Sequence, residues 1–122
     1  MAPRPPIRVL IVEDYDDWAD AVMHGVRRAR RDAEVTRVAT YAEASRALAG
    51  ERFDLVIADL ILRGVGTGLD VVRSALARGI PTVLTTSHVR RGLDVPVGAR
   101  YVHKDALVAA LPGLLGAGPR PV

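Results

Sequence analysis

A chain of 122 residues, 49% hydrophobic and 25% charged, has the size and make-up of one globular domain, which excludes a disordered or fibrous protein. It holds no cysteine, ruling out disulfides, thiolate catalysis and Cys-based zinc sites, and no apolar run approaches the length of a membrane span. The formal charge of +3 comes from bases that are scattered apart from Arg27, Arg28, Arg30 and Arg31, so no nucleic-acid face is expected; Lys104 is the only lysine. These features predict a cytoplasmic protein that is neither exported nor held in a membrane.

After a proline-rich leader at 1–6, residues 7–12 have the length and β-branched content of a buried strand. Asp16 or Asp17 can cap a helix reaching about Arg31. On it Trp18, Val22, Val26 and Ala29 share an apolar face, while the arginine cluster falls on the solvated side near the negative helix terminus. Residues 34–39 read as a second, weakly alternating strand. Thr40 and Glu43 then form a Thr-x-x-Glu capping box, opening a helix that Gly50 ends. A third strand covers 53–58, with Asp59 at its end. Residues 63–68 carry three glycines and no period, so they form a loop. The following helix places Leu69, Val72 and Leu76 on one face and closes at Gly79. A fourth strand covers 80–86 and opens on Ile-Pro, proline being tolerated where a strand begins. Only a short helix fits around 89–93. A fifth strand at 99–103 leads to a last helix that Asp105 can cap, carrying Leu107, Leu111 and Leu114; Pro112 should break it or end its regular part. Residues 116–122 are a tail. The reading is a single domain over 1–122, with its core at about 7–115.

Strand and helix alternate five times, which implies a doubly wound α/β domain whose parallel sheet is covered on both faces by right-handed crossovers. Ligands of such sheets sit at the carboxyl ends of the strands. Those ends carry Glu13 and Asp14, then Asp59, then Thr86 with Ser87, then Lys104. Carboxylates crowded there repel one another by about 1 to 4 kcal/mol per pair at ~4 Å, and a hard divalent ion with oxygen ligands offsets this; Mg²⁺ fits better than zinc. His24, His88 and His103 show no metal-ligand spacing. A first loop reading Glu-Asp-Tyr-Asp-Asp repels a directly bound phosphate. What remains is a carboxylate nucleophile that accepts a phosphoryl group, with a metal, a lysine and a hydroxyl on its oxygens.

Four motifs, each at a strand end and in order, carry a resemblance to a known family: Val12-Glu13-Asp14, DLVIADL around Asp59, PTVLTTS with Thr86, and GARYVHK with Lys104. Over about 7–115 the chain resembles the receiver domain of two-component response regulators. The resemblance implies a flavodoxin-like (βα)5 fold, strand order 2-1-3-4-5, with a shortened fourth helix. It implies that Asp59 is the phosphoacceptor and that Mg²⁺ is held by Asp14, by Glu13 mainly through water, by Asp59 and by the backbone carbonyl of Ile61. Lys104 would pair with Asp59 and then with the phosphoryl group, Thr86 would be the switch hydroxyl, and Tyr101 the switch aromatic. Ile61, Ser87 and His88 would control access to the phosphoryl site and water attack there.

The chain departs from the family's pattern in several places. Arg63 stands where proline is usual, one extra residue precedes Gly68, Asp105 replaces the proline that commonly follows the lysine, and the segment between Thr86 and Gly98 is about one helical turn short. The shortened segment weakens the usual dimerisation face, so a monomer or weak dimer is expected. The function implied is signal transduction. A histidine kinase or phosphotransfer protein donates the phosphoryl group, the first helix and the loop after the fifth strand dock it, and a downstream protein target reads the result. The chain would be no enzyme beyond Mg²⁺-dependent self-phosphorylation and autodephosphorylation. Because it ends about seven residues past its last helix, a stand-alone regulator is expected. The alternatives are the receiver part of a longer transcriptional regulator, a degenerate receiver that binds partners without phosphorylation, and a Mg²⁺-dependent phosphohydrolase, which Ile61 disfavours because a second acid is needed there.

Overall fold

In a strand, successive side chains face opposite sides of the sheet, so a run that is apolar at every position must be covered on both faces. The computed structural model, which describes residues 6–87 and 94–116, shows this arrangement. Its strands are β1 (Arg8–Val12), β2 (Glu34–Val38), β3 (Leu55–Asp59), β4 (Thr82–Thr86) and β5 (Ala99–His103). The helices among the described residues are α1 (Asp16–Ala29), α2 (Tyr41–Gly50), α3 (Gly68–Ala77) and α4 (Lys104–Leu114). All neighbouring strands pair in parallel in the order β2-β1-β3-β4-β5, the flavodoxin-like order expected from the sequence. The short helix expected around 89–93, and His88, lie outside the described residues.

The register divides the core in two. Val9, Ile11, Leu55, Ile57 and Val83 face Val22 and Val26 of α1 and Leu107 and Leu111 of α4. Their strand neighbours Leu10, Val12, Val56, Ala58 and Leu84 face Ala44 and Leu48 of α2 and Val71, Val72 and Ala75 of α3. Each buried Val, Leu or Ile contributes about 1.5 to 3 kcal/mol. Because all strands run one way, Val12 lies beside Ala58, Asp59 beside Thr85, and Thr86 beside His103, which brings every strand end to one edge.

Local chemistry moves several expected boundaries. Neither Asp16 nor Asp17 caps α1: the N-cap is Tyr15, with no side-chain cap bond, and both acids sit inside the first turn, where they favour the positive helix end. The helix stops at Ala29, because Arg30 leaves it to hold Asp32 and the Leu115 carbonyl. Thr40 caps α2 as expected, although Glu43 returns its bond to the N–H of Ala39. Gly68 belongs to α3, whose N-terminus carries a full capping box between Thr67 and Asp70. The last helix begins two residues earlier than an Asp105 cap implies, so His103, and not Asp105, is its N-cap and accepts from the Asp105 N–H. Pro112 does not break α4, which continues to Leu114; so near the end, the missing N–H costs one bond while Leu111 and Leu115 stay buried.

Candidate functional site

The edge where the strands end is built by backbone bonds that extend the sheet past its strands. Glu13 N–H donates to the Val38 carbonyl at 3.0 Å and Leu60 N–H to the Thr85 carbonyl at 2.8 Å, which fixes the residues around each turn. Gly68 fixes the far wall. A Cβ on it would lie 1.9 Å from the Asp59 carbonyl oxygen, so only glycine lets α3 start against that backbone. A cleft of about 300 Å³ results, lined among others by Glu13, Asp14, Asp59, Ile61, Thr86 and Lys104.

Asp59, Glu13 and Lys104 are all buried. The Lys104 Nζ donates to Asp59 Oδ2 at 2.9 Å and to Glu13 Oε1 at 3.1 Å, so the single lysine is the cation between two carboxylates. Burial works against its charge, but Asp59 and then Glu13 outweigh burial and hold the ammonium above its usual range. The opposite balance governs Glu13. Burial first, then hydrogen bonding and charge repulsion from Asp59, push its carboxyl up to about 7 despite Lys104. The other Asp59 oxygen, Oδ1, accepts the Ile61 N–H at 3.1 Å.

Asp14 completes the acidic edge. Its Oδ2 accepts the Arg63 N–H at 3.1 Å and lies 3.5 Å from the Arg63 guanidinium. One oxygen from each of Glu13, Asp14 and Asp59 falls within 4.8 Å of the others. Three hard oxygen donors at such spacing suit Mg²⁺, which takes a few carboxylates and keeps water on its remaining positions. Thr86 is buried at the end of β4, and Ser87 is exposed on the cleft rim. The Ile61 side chain is 45% exposed, open to whatever enters the cleft. Tyr101 lies apart from the carboxylates, in register with Leu84 on edge strand β5 and 37% exposed.

Four participants are absent from the strand-end reading. Trp18 places its ring 5.3 Å from Lys104 Nζ. Arg37 holds the Glu13 carbonyl at 2.9 Å and Asp16 at 2.9 Å, bracing the acidic loop. Arg63 and Gly68 act from the loop and helix after β3. The helical spacing of Trp18 marks its apolar face but carries no sign of the lysine, and the others depend on loop paths that short-range pattern does not encode.

Parallel strand order, a two-sided core and a carboxylate–lysine edge together define the receiver-domain fold of response regulators. Solved structures agree. A CheY-like response regulator receiver domain protein from Methanospirillum hungatei JF-1 superposes with a TM-score of 0.73 at 20% identity, over 91% of each chain. A signal receiver domain from Vibrio parahaemolyticus gives 0.76 at 25% identity over 91% of this chain and 88% of that one. The receiver domain of a sensor histidine kinase from Pseudomonas aeruginosa PAO1, solved with a magnesium ion coordinated in its active-site cleft, gives 0.77 at 24% identity over 90% and 94%. No protein-family model and no curated protein sequence matches the chain.

Proposed function

We propose that this chain is a phosphoacceptor of two-component signalling: Asp59 takes a phosphoryl group from a phosphohistidine on a kinase or phosphotransfer protein, and the phosphorylated form binds a downstream protein. The observation that carries this reading is the buried Lys104 ammonium bridging Asp59 and Glu13, with Asp14 on the same edge. Glu13, Asp14 and Asp59 would hold Mg²⁺, which when bound neutralises the acids and the incoming phosphoryl oxygens.

The step is a displacement at phosphorus. A bond forms from a carboxylate oxygen of Asp59 while the phosphorus–nitrogen bond to the donor imidazole breaks, its electron pair returning to the ring. Lys104 already donates to Asp59 and needs only to shift toward a phosphoryl oxygen as charge arrives there. Thr86, at the end of the adjacent strand, offers a hydroxyl to another. Tyr101 and the exposed residues near the cleft, Tyr15 among them, form the surface a partner can read. In this reading the chain turns over no separate substrate and works in the cytoplasm; no described helix is long and apolar enough to cross a membrane.

Beryllofluoride, a phosphoryl mimic, tests the proposal. With Mg²⁺ it should bind the wild type at one site and leave Asp59→Ala unbound. Equal behaviour of the two proteins would refute the assignment.

A further inference from the structure

Lys104 is held on two sides by oxygen and on a third by something else. Nζ donates to Asp59 at 2.9 Å and Glu13 at 3.1 Å, and the Trp18 ring centroid lies 5.3 Å away. The space that Trp18, Val22, Ile57, Thr85 and Leu107 enclose around this contact is only about 10 Å³. That is at the lower limit for one water, so the ammonium is desolvated on this side and meets the negative face of the indole instead. Trp18 is placed by α1, whose Ala19 and Val22 are buried against the sheet and fix the helix's rotation.

We propose that Trp18 is a positioning residue for phosphoryl binding, its ring face keeping the Lys104 ammonium over the Asp59 edge when the carboxylates are engaged elsewhere. The inference rests on the phosphoacceptor reading. Before phosphoryl binding, two carboxyl groups hold the lysine and the ring adds little. Once Glu13 and Asp59 share their charge with a divalent ion, their pull on the ammonium falls. The attraction of the ring does not change, and it occupies no acceptor oxygen that the phosphoryl group must compete for. A four-carbon stem carrying a point charge has many rotamers, and the ring removes those that leave the edge.

The test uses two features of the composition: one tryptophan and one lysine. Fluorinated tryptophans withdraw charge from the ring face with little change of shape, so biosynthetic replacement by the mono- and difluoro forms alters Trp18 alone. Calorimetric titration of the full chain with beryllofluoride in saturating Mg²⁺ should show affinity falling stepwise, to roughly a tenth in the difluoro protein. The Mg²⁺ affinity and the thermal midpoint should stay unchanged, which a packing role would not require. In protein labelled with ¹³C-lysine, the ε-methylene signal should be shifted upfield by the ring and stay so in the beryllofluoride complex. Unchanged affinity across the series, with normal binding by the unmodified protein, would overturn the role of Trp18 and leave the phosphoacceptor reading standing. Failure of the unmodified protein to bind beryllofluoride would overturn both.

Discussion

Lys104 reaches Asp59 at 2.9 Å with both side chains under 10% exposed, the lysine at 7% and the aspartate at 8%. Removing one member of such a pair leaves the rest buried and uncompensated. Lys104→Met strands Asp59 beside Glu13 without a cation, and urea unfolding in the absence of divalent ions should show a loss of about 3 kcal/mol. Lys104→Arg keeps the charge and the fold, but a planar fork does not fit the slot bounded by two carboxylates and an indole. Its phosphorylation by a small donor should slow roughly a hundredfold. An arginine variant as fast as wild type would show that the ammonium has no special role.

Glu13 makes stability depend on pH. Its carboxyl is raised from 4.5 to about 7 in the folded protein, so the folded state binds the proton more tightly than the unfolded chain. The stabilisation this gives is complete below the unfolded value and lost as pH rises through the folded one. With a chelator present, wild-type unfolding free energy should therefore fall by about 3 kcal/mol between the two values through this group alone. Glu13→Gln lacks the titration, so its stability relative to wild type should climb over the same window and level off above it. Parallel pH profiles for the two proteins would contradict the burial of an ionisable Glu13.

Gly68 and Gly64 separate close approach from backbone conformation. A Cβ at Gly68 would meet the Asp59 carbonyl oxygen at 1.9 Å and its carbon at 2.6 Å, both backbone atoms that cannot yield without moving β3. Gly68→Ala should cost about 3 kcal/mol or more and impair phosphorylation, since Asp59, the proposed nucleophile, moves with its own backbone. Gly64 has open space around it and only a φ of +88° to satisfy. Gly64→Ala should cost about 1 kcal/mol and leave phosphorylation near normal. Denaturant midpoints and phosphorylation rates of the pair check both statements.

On the proposed phosphoacceptor reading, Ile61 bears on how long the phosphoryl group lasts. Its N–H is bonded to Asp59 Oδ1 while its side chain projects 45% exposed at the cleft. An apolar side chain there cannot orient an attacking water, so wild-type autodephosphorylation should be slow. Ile61→Asn should shorten the half-life several-fold, on the scale by which a positioned polar group speeds proton or water transfer. A half-life of seconds in the wild-type protein with Mg²⁺ would contradict this.

The strands are legible because a parallel sheet covered on both faces demands unbroken apolar runs, and Val9–Val12 and Leu55–Ala58, within 7–12 and 53–58, are such runs. Their ends shifted by one or two residues where a side chain packs beyond the ladder, as Phe53 does in the α2 and α3 core. The gathering of side chains at one edge is legible for the same topological reason: strand ends converge, and Glu13, Asp14, Asp59, Thr86 and Lys104 line one cleft. Capping was harder. Thr67 and Asp70 form a Thr-x-x-Asp box, but the glycines at 64, 66 and 68 disguised the helix start as loop. Trp18 lay on the expected apolar face of α1, yet its contact with Lys104 spans most of the chain and depends on the rotation of a helix against a side chain from the far end of the fold.

In the proposed reading, Asp59 accepts a phosphoryl group at an edge built from Glu13, Asp14 and Lys104. Intact-protein mass measurement after incubation with acetyl phosphate and Mg²⁺ addresses it most directly. The wild type should gain the mass of one phosphoryl group, and the gain should vanish when Mg²⁺ is chelated and in Asp59→Asn. A wild type that gains no mass, or an Asp59→Asn protein that gains as much, would show that Asp59 is not a phosphoacceptor.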